Sequence, residues 1–247
     1  MAWFWSSPVG AAPDEEAYYV RTVGISEGVL VGQPISVRRG SASPAALSFY
    51  EGVSRAIYVP TRLNPPDFAG CYATHSEVPA TCAVKEPRPT SGAELLTYVG
   101  TYPPLPYAVP ALLLRFAANP WAGVYLGRLG VGGVSLGLLI LALLAIGYGR
   151  RESVAIWGLL LGATPMVVFL AVSESASGIE AAAALCFLVA LIRLRAHPAG
   201  PPAVVVVVSL AAGGFALAVA RPLGPLWIAA SLIGYAIAGG HPSPHAA

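Results

Sequence analysis

The sequence predicts an all-α integral membrane protein, a multi-span helical bundle with an irregular extracytoplasmic loop region at its N-terminal side. Of the 247 residues 56% are hydrophobic and only 11% are charged, whereas a soluble globular domain carries roughly 25% charged residues. The apolar excess is uneven, because residues 105–240 are almost continuously apolar and residues 1–104 hold most of the acids. This distribution is typical of a membrane protein with a polar N-terminal portion.

Five apolar stretches approach the roughly 20 residues that a helix needs to cross the hydrocarbon core. They are residues 124–148, 153–172, 178–194, 203–220 and 223–240. Basic residues cluster in the connections 149–153 and 193–198, which the positive-inside rule assigns to the cytoplasm. We therefore predict a multi-pass protein of the cell membrane, in contact with membrane lipids and with residues 1–122 outside the cytoplasm. The bundle covers residues 123–240, and residues 241–247 form a disordered tail.

Residues 1–122 are interpreted as irregular loops with short and juxtamembrane helices. Pro13 followed by acids predicts the start of one helix, because proline suits the first helical turn and acids complement the helix dipole there. Residues 101–121 contain an apolar core of only about a dozen residues, which favours an interfacial or re-entrant helix over a span. The aromatic residues at 3–5 suit the membrane interface, and we expect them to be the outer end of a helix that begins upstream.

Two of the three cysteines, Cys71 and Cys82, bracket a short polar stretch of the predicted extracytoplasmic region. Such a pair favours a disulfide bond outside the cytosol, although two free thiols remain the alternative. The third, Cys186, lies in an apolar run.

Asp14, Glu15 and Glu16 form the densest group of acids in the chain. A carboxylate at the outer end of a helix, beside a cavity that faces lipid, can accept a proton from a hydroxyl group. The alternative is an exposed helix start whose acids only complement the dipole. Asp14 and Glu15 are thus the candidate catalytic residues.

Other charged residues lie near the predicted membrane boundary. Glu180 falls on the first turn of the third predicted span and is either functional or a solvated acid that complements the dipole. Glu174 is expected to be solvated in its loop. Arg221 can hold a phosphate or extend to lipid headgroups, and Arg115 and Arg128 share that ambiguity.

Several functional classes have no support in the sequence. A net charge of +2 without a basic stripe argues against nucleic acid as a partner. The chain has no phosphate-binding or dinucleotide fingerprint, and its histidines lack metal-ligand spacing. We therefore predict neither a cofactor nor a metal. No predicted span carries a charge at its centre, which argues against a transporter.

Four motifs in order carry a family resemblance: PDEEAYYVRTVGISEG, YPPLPYAVPALL, TPMVVFLAVSESASGIEAAAAL and ARPLGPLW. Together they resemble the predicted membrane proteins called DUF2142, a family that in turn resembles the GT-C glycosyltransferases. The resemblance implies transfer of a sugar from a polyprenyl-phosphate-linked donor to an acceptor in the cell envelope. It implies Asp14 as the base, with Glu15 beside it and Glu180 near the donor phosphate.

The remaining site predictions concern binding and partners. Arg221 is the leading phosphate holder, and Tyr102, Tyr107 and Trp121 are candidates for a sugar or lipid groove, with interface anchoring as the alternative. GT-C enzymes usually have more spans than the five predicted here, which leaves three alternatives: a fragment, a half that needs a partner membrane chain, or a degenerate relative. The alternative function is a non-catalytic membrane subunit or scaffold of a cell-envelope complex.

Overall fold

The computed structural model describes residues 2–36, 44–65, 71–72, 75, 77–82, 90–147, 153–196 and 203–239. Of the residues that the structure describes, 64% are helical, which agrees with the predicted helical class. It divides into two compact units, the first formed by residues 1–132 and 172–176 and the second by residues 133–171 and 177–247.

The first unit contains helices and a small sheet. Its helices are α1 (Ala2–Ser6), α2 (Glu15–Ser26), α3 (Pro44–Val53), α4 (Ala108–Leu114) and the beginning of α5 (Pro120–Ile146), with a 3-10 turn at Leu105–Tyr107 leading into α4. Its strands are β1 (Gln33–Pro34), β2 (Arg55–Val59) and β3 (Ala93–Thr97), in the antiparallel order β1-β2-β3. The helix expected after Pro13 is confirmed as α2.

The sheet corrects the prediction of an all-α chain with an irregular N-terminal region. Strands β2 and β3 pair from Arg55 opposite Thr97 to Val59 opposite Ala93. Ile57 and Val59 are buried and Tyr58 between them is exposed, which is the alternation of a strand with one face on a core. These strands are five residues long and far apart in sequence, so neither shows a pattern that distinguishes it from a loop.

Helix α2 is the centre of the first unit's core. Its residues Tyr19, Val20 and Val23 are fully buried in one cluster with residues of β2 and with Leu114 and Val124. The Thr97 hydroxyl donates a hydrogen bond of 2.8 Å to the Ala17 carbonyl, which fastens β3 to the same helix. The sheet and α4 therefore hold α2, and the residues at its start, in a fixed position.

The cysteines of the predicted disulfide are joined in the structure, with 6.2 Å between their Cα atoms. The neighbouring Tyr72 hydroxyl donates a 2.6 Å hydrogen bond to the Val9 carbonyl. These contacts connect the Cys71–Cys82 loop with the segment that precedes α2.

In its described residues the second unit contains the rest of α5 and the helices α6 (Ser153–Gly162), α7 (Pro165–Ala171), α8 (Ala176–Ala196, from Ser177 onwards), α9 (Val204–Ala220) and α10 (Gly224–Gly239). The predicted span 153–172 is broken into α6 and α7. Proline has no amide hydrogen and cannot continue a helix, and the Thr164 hydroxyl accepts a 3.3 Å bond from the Val167 amide to start the new one. The Thr-Pro dipeptide was a sequence signal for this break.

Among the described residues, two helices are long and apolar enough to cross a membrane: Pro120–Ile146 and Ala176–Arg195, with mean hydropathies of 2.5 and 1.9. Leu105–Leu114 is a shorter apolar helix, in agreement with a segment that does not span. Val204–Ala220 and Gly224–Ile237 are also shorter. The count of five spans stays a prediction.

Gly130 on α5 allows that helix to lie against α4. A Cβ atom at Gly130 would fall about 2.5–2.9 Å from atoms of Pro110, including its backbone, whereas one at Gly133 would meet nothing within 4 Å. The glycine-rich sequence GVGG at 130–133 lies in a predicted span and predicts close helix packing, which Gly130 confirms.

We expect Gly130→Ala to destabilise the protein by about 1–3 kcal/mol, because backbone cannot move aside as a side chain can. The same substitution at Gly133 is expected to be neutral or stabilising, since alanine is the better helix former by about 1 kcal/mol. Thermal unfolding in detergent measures both. Equal melting temperatures for the two variants would contradict the packing of α4 on α5.

Candidate active site

The residues that begin α2 differ sharply in their surroundings. Asp14 has a φ of 62°, and it is the single non-glycine residue with positive φ in the described part of the chain. Aspartate tolerates this left-handed conformation better than most residues, because its short polar side chain can bond locally. Asp14 is exposed while Glu15 is 1% exposed. The Asp14 side chain makes no capping hydrogen bond to the helix, and the alternative, acids that only complement the helix dipole, stays a prediction.

Glu15 has its carboxylate oxygens occupied by four donors. Oε1 accepts from Arg128 Nε at 2.6 Å and from the Glu174 amide at 3.3 Å. Oε2 accepts from Arg128 Nη2 and from the Gly10 amide, both at 2.8 Å. A carboxylate in this setting organises the segment around it and is poorly placed to accept a proton from a substrate.

Arg128 forms the other half of this fully buried pair, with both side chains at 0% exposure. Its Nη1 and Nη2 donate 2.8 Å bonds to the carbonyls of Ser7 and Pro8. The two bonds to Glu15 are bidentate, the arrangement in which a guanidinium binds a carboxylate most strongly. Arg128 therefore ties α5 to the segment between α1 and α2. The sequence around Arg128 left the role of this residue open, and its pairing with Glu15 was not predicted.

Glu174 lies in the connection before α8 and was expected to be solvated, which is wrong. It is 1% exposed, and neither carboxyl oxygen has a hydrogen-bond partner among the described residues. The carboxyl group packs against Gly127, where no Cβ would fit. Burial, followed by the charge of Glu15, raises the pKa of Glu174 well above its usual value.

Two neighbours act on Glu174 in the opposite direction. They are the Thr22 hydroxyl and the Arg128 charge, and both favour the ionised form. The Thr22 hydroxyl donates its own hydrogen bond of 2.9 Å to the Tyr18 carbonyl. Because burial is the largest cause, the direction of the shift follows it. A buried cluster of two carboxyl groups and one cation is thus formed by Glu15, Arg128 and Glu174. Its charges cancel when one carboxyl group keeps its proton. We call these three residues the buried charge cluster.

An open cleft of about 360 Å³ lies beside this cluster. The residues that line it are Gly10, Ala12, Asp14, Glu15, Glu16, Ala17, Leu96 and Tyr98. Tyr98 and Asp14 both line the cleft, and burial followed by the interaction with Asp14 raises the pKa of Tyr98. The cleft therefore presents two accessible carboxylates, Asp14 and Glu16, together with the Tyr98 phenol. No group of three or more potential metal ligands occurs in the described ranges.

Tyr102, Tyr107 and Trp121 have different positions in the first unit. The half-buried Tyr102 accepts a 2.7 Å bond at its carbonyl from Arg21, which is fully buried. Tyr107 is 3% exposed and stacks on Tyr18, with 6.2 Å between ring centroids. Trp121 is partly buried against the core around α2. Substrate binding by these three residues stays a prediction, for which Tyr107 offers little exposed surface.

Glu180 and Arg221 belong to the second unit, where they form an ion pair of 3.5 Å. Their side chains are 17% and 34% exposed, respectively. Because α8 begins at Ala176, Glu180 lies beyond the first helical turn, which corrects the predicted placement and weakens its interaction with the helix dipole. Arg221 is the C-cap residue of α9, directly after Ala220. Proximity of this pair to Asp14 stays a prediction.

The first unit brings together two segments that the sequence analysis treated separately, the acids at 14–16 and the connection that contains Glu174. The bond from the Glu174 amide to Glu15 joins residues 159 positions apart. The Arg128–Glu15 pair joins residues 113 positions apart. Both contacts depend on how the chain folds, and no local pattern could have revealed them.

Comparison with known proteins gives one match. The model of a family described as "Predicted membrane protein (DUF2142)" matches residues 1–238. No curated protein and no solved structure matches the chain.

Proposed function

We propose that this chain, which belongs to the DUF2142 family of predicted membrane proteins, is a GT-C-like membrane glycosyltransferase. It transfers a sugar from a polyprenyl-phosphate carrier to an acceptor of the cell envelope outside the cytoplasm. The observation that carries the proposal is the exposed Asp14 carboxylate, which lines a cleft together with Tyr98 while its neighbour Glu15 is bound by Arg128. The resemblance of the motif order to GT-C enzymes supports the choice of reaction.

In the proposed reaction Asp14 acts as general base. Its carboxylate accepts the proton of an acceptor hydroxyl, and the acceptor oxygen forms a bond to the anomeric carbon of the donor sugar. The bond from that carbon to the phosphate oxygen breaks, and the carrier phosphate leaves with the electron pair. Tyr98 keeps the carboxylate pointing into the cleft, and Arg128 fixes Glu15 and with it the start of α2.

The donor phosphate is assigned to Arg221 within this proposal. A guanidinium binds phosphate oxygens in the same planar geometry in which it binds a carboxylate. Its present ion pair with Glu180 is partly exposed, so exchange of the carboxylate for a phosphate does not require opening of a buried core. Glu180 then limits the orientation of Arg221. A polyprenyl chain would lie in the membrane beside the bundle.

The test replaces Asp14 with asparagine in the native host and compares the glycan composition of its envelope. We expect loss of one glycan with normal protein level, since removal of a general base slows a reaction by a factor of about 10²–10⁴. Asparagine also tolerates positive φ, so the fold is retained. Glu16→Gln, at an exposed neighbouring acid that lines the same cleft, is the control and should leave the glycans unchanged.

The alternative, a non-catalytic subunit of an envelope complex, is favoured by the outer face of the sheet. Tyr58 and Leu96 on that face are 59% and 62% exposed, and exposed apolar groups of this kind often mark contacts with another protein. If deletion of the gene changes the envelope glycans but Asp14→Asn does not, the catalytic proposal fails and the subunit remains.

A further inference from the structure

A second groove, next to the Asp14 cleft, has an aromatic wall. It has a volume of about 430 Å³, and its lining residues are Phe49, Tyr50 and Val53 of α3 together with Tyr98 and Tyr102. This size falls within the range of about 300–1,000 Å³ that is usual for small-molecule sites. We call it the aromatic groove.

The aromatic groove and the Asp14 cleft share one lining residue, Tyr98. A molecule that lies in the groove is therefore separated from the candidate base by one side chain. Because α3 belongs to the first unit, the groove and the cleft are parts of a single compact unit.

The groove exposes rings that a folded protein rarely leaves in water. Phe49 is 66% exposed and Tyr50 is 56% exposed, and their rings meet edge to face at 6.3 Å. Three of the five lining residues are tyrosines, which combine an apolar ring face with a hydroxyl that donates and accepts hydrogen bonds. Among the lining residues that the structure describes, none is charged, so none of these provides a counter-ion for a phosphate or carboxylate ligand.

We propose that the aromatic groove binds an uncharged carbohydrate, the acceptor glycan of the reaction, with its sugar rings against Phe49 and Tyr50. A pyranose ring has an apolar face of C–H groups and a rim of hydroxyls, which matches aromatic faces accompanied by tyrosine hydroxyls. The acceptor hydroxyl that reacts would extend past Tyr98 to Asp14. This inference rests on the proposed glycosyltransferase function and adds the acceptor class, a neutral glycan.

The experiment measures binding of three neutral hexasaccharides, a β-glucan, an α-mannan and a β-galactan, to the purified full chain in detergent by saturation-transfer NMR. We expect saturable binding of at least one of them. The double variant Phe49→Leu/Tyr50→Leu, which keeps apolar side chains and removes the rings, should weaken it at least fivefold. Tyr58→Leu, at an equally exposed tyrosine outside the groove, is the matched control and should bind as the wild type does.

Three outcomes would overturn the inference: no binding of any hexasaccharide, equal weakening by Tyr58→Leu, or displacement of the sugar by phosphatidylglycerol micelles, which would assign the groove to lipid. The Asp14→Asn variant separates this inference from the proposed function, because it should lose transfer and still bind the glycan. If the protein binds the glycan but Asp14→Asn transfers the sugar as the wild type does, the aromatic groove is retained as a binding site and the catalytic role of Asp14 is refuted.

Discussion

Replacing Arg128 with methionine is expected to destabilise the protein by about 3–5 kcal/mol, because the change leaves a carboxylate buried without its counter-charge. Glu15 is fully buried, and Arg128 supplies two of its four donors. The carbonyls of Ser7 and Pro8 lose their donors at the same time. Thermal unfolding in detergent should show a melting temperature lower by roughly 10 °C or more.

The matched control for this variant is Arg115→Met, which removes an exposed arginine at the end of α4 and should change stability by less than about 0.5 kcal/mol. The double variant Glu15→Gln/Arg128→Met should recover part of the loss, since it no longer buries a lone charge. A double variant as unstable as the sum of both single variants would show that Glu15 and Arg128 do not interact.

Glu174 is expected to make the folded state less stable as pH rises. Its pKa in the folded protein is raised, so above the ordinary carboxyl pKa of about 4.3 the folded state keeps a proton that the unfolded state has released. The stabilisation is therefore complete below that value and is lost as pH rises towards the folded pKa. The slope is at most about 1.4 kcal/mol per pH unit in the range between the unfolded and the folded pKa.

The measurement compares melting temperatures of the wild type and Glu174→Gln from pH 5 to pH 8. Glutamine imitates the neutral carboxyl group, so the variant should gain stability relative to the wild type as pH rises. The exposed acid variant Glu16→Gln should follow the wild-type curve. Parallel curves for the wild type and Glu174→Gln would show that Glu174 does not hold a proton in the folded protein.

The buried charge cluster also explains why the acids at 14–16 have unequal roles. Consecutive residues at a helix start point in different directions, about 100° apart. Glu15 consequently binds α5 and the Glu174 connection and is buried at the wall of the cleft, whereas Asp14 and Glu16 are exposed in it. The sequence identified the group of acids, but the direction of each side chain depends on the left-handed backbone at Asp14.

The sequence by itself determined the features that local composition controls. Apolar runs predicted the helices Pro120–Ile146 and Ala176–Ala196, Pro13 with its acids predicted the start of α2, and the glycine-rich stretch predicted the close packing at Gly130. These predictions succeed because helix length, capping and residue size act within a few turns of the chain.

Only the tertiary structure decided the sheet, the buried charge cluster and the aromatic groove. Strands β2 and β3 form only when they pair, because backbone groups of each strand are hydrogen-bonded to the other. Glu174 resembles a solvated loop acid until Gly127 and Glu15 are packed against it. Such contacts join residues more than 100 positions apart, and the free energy that selects them comes from burial and charge pairing in the folded chain, which leave no periodic trace in the order of residues.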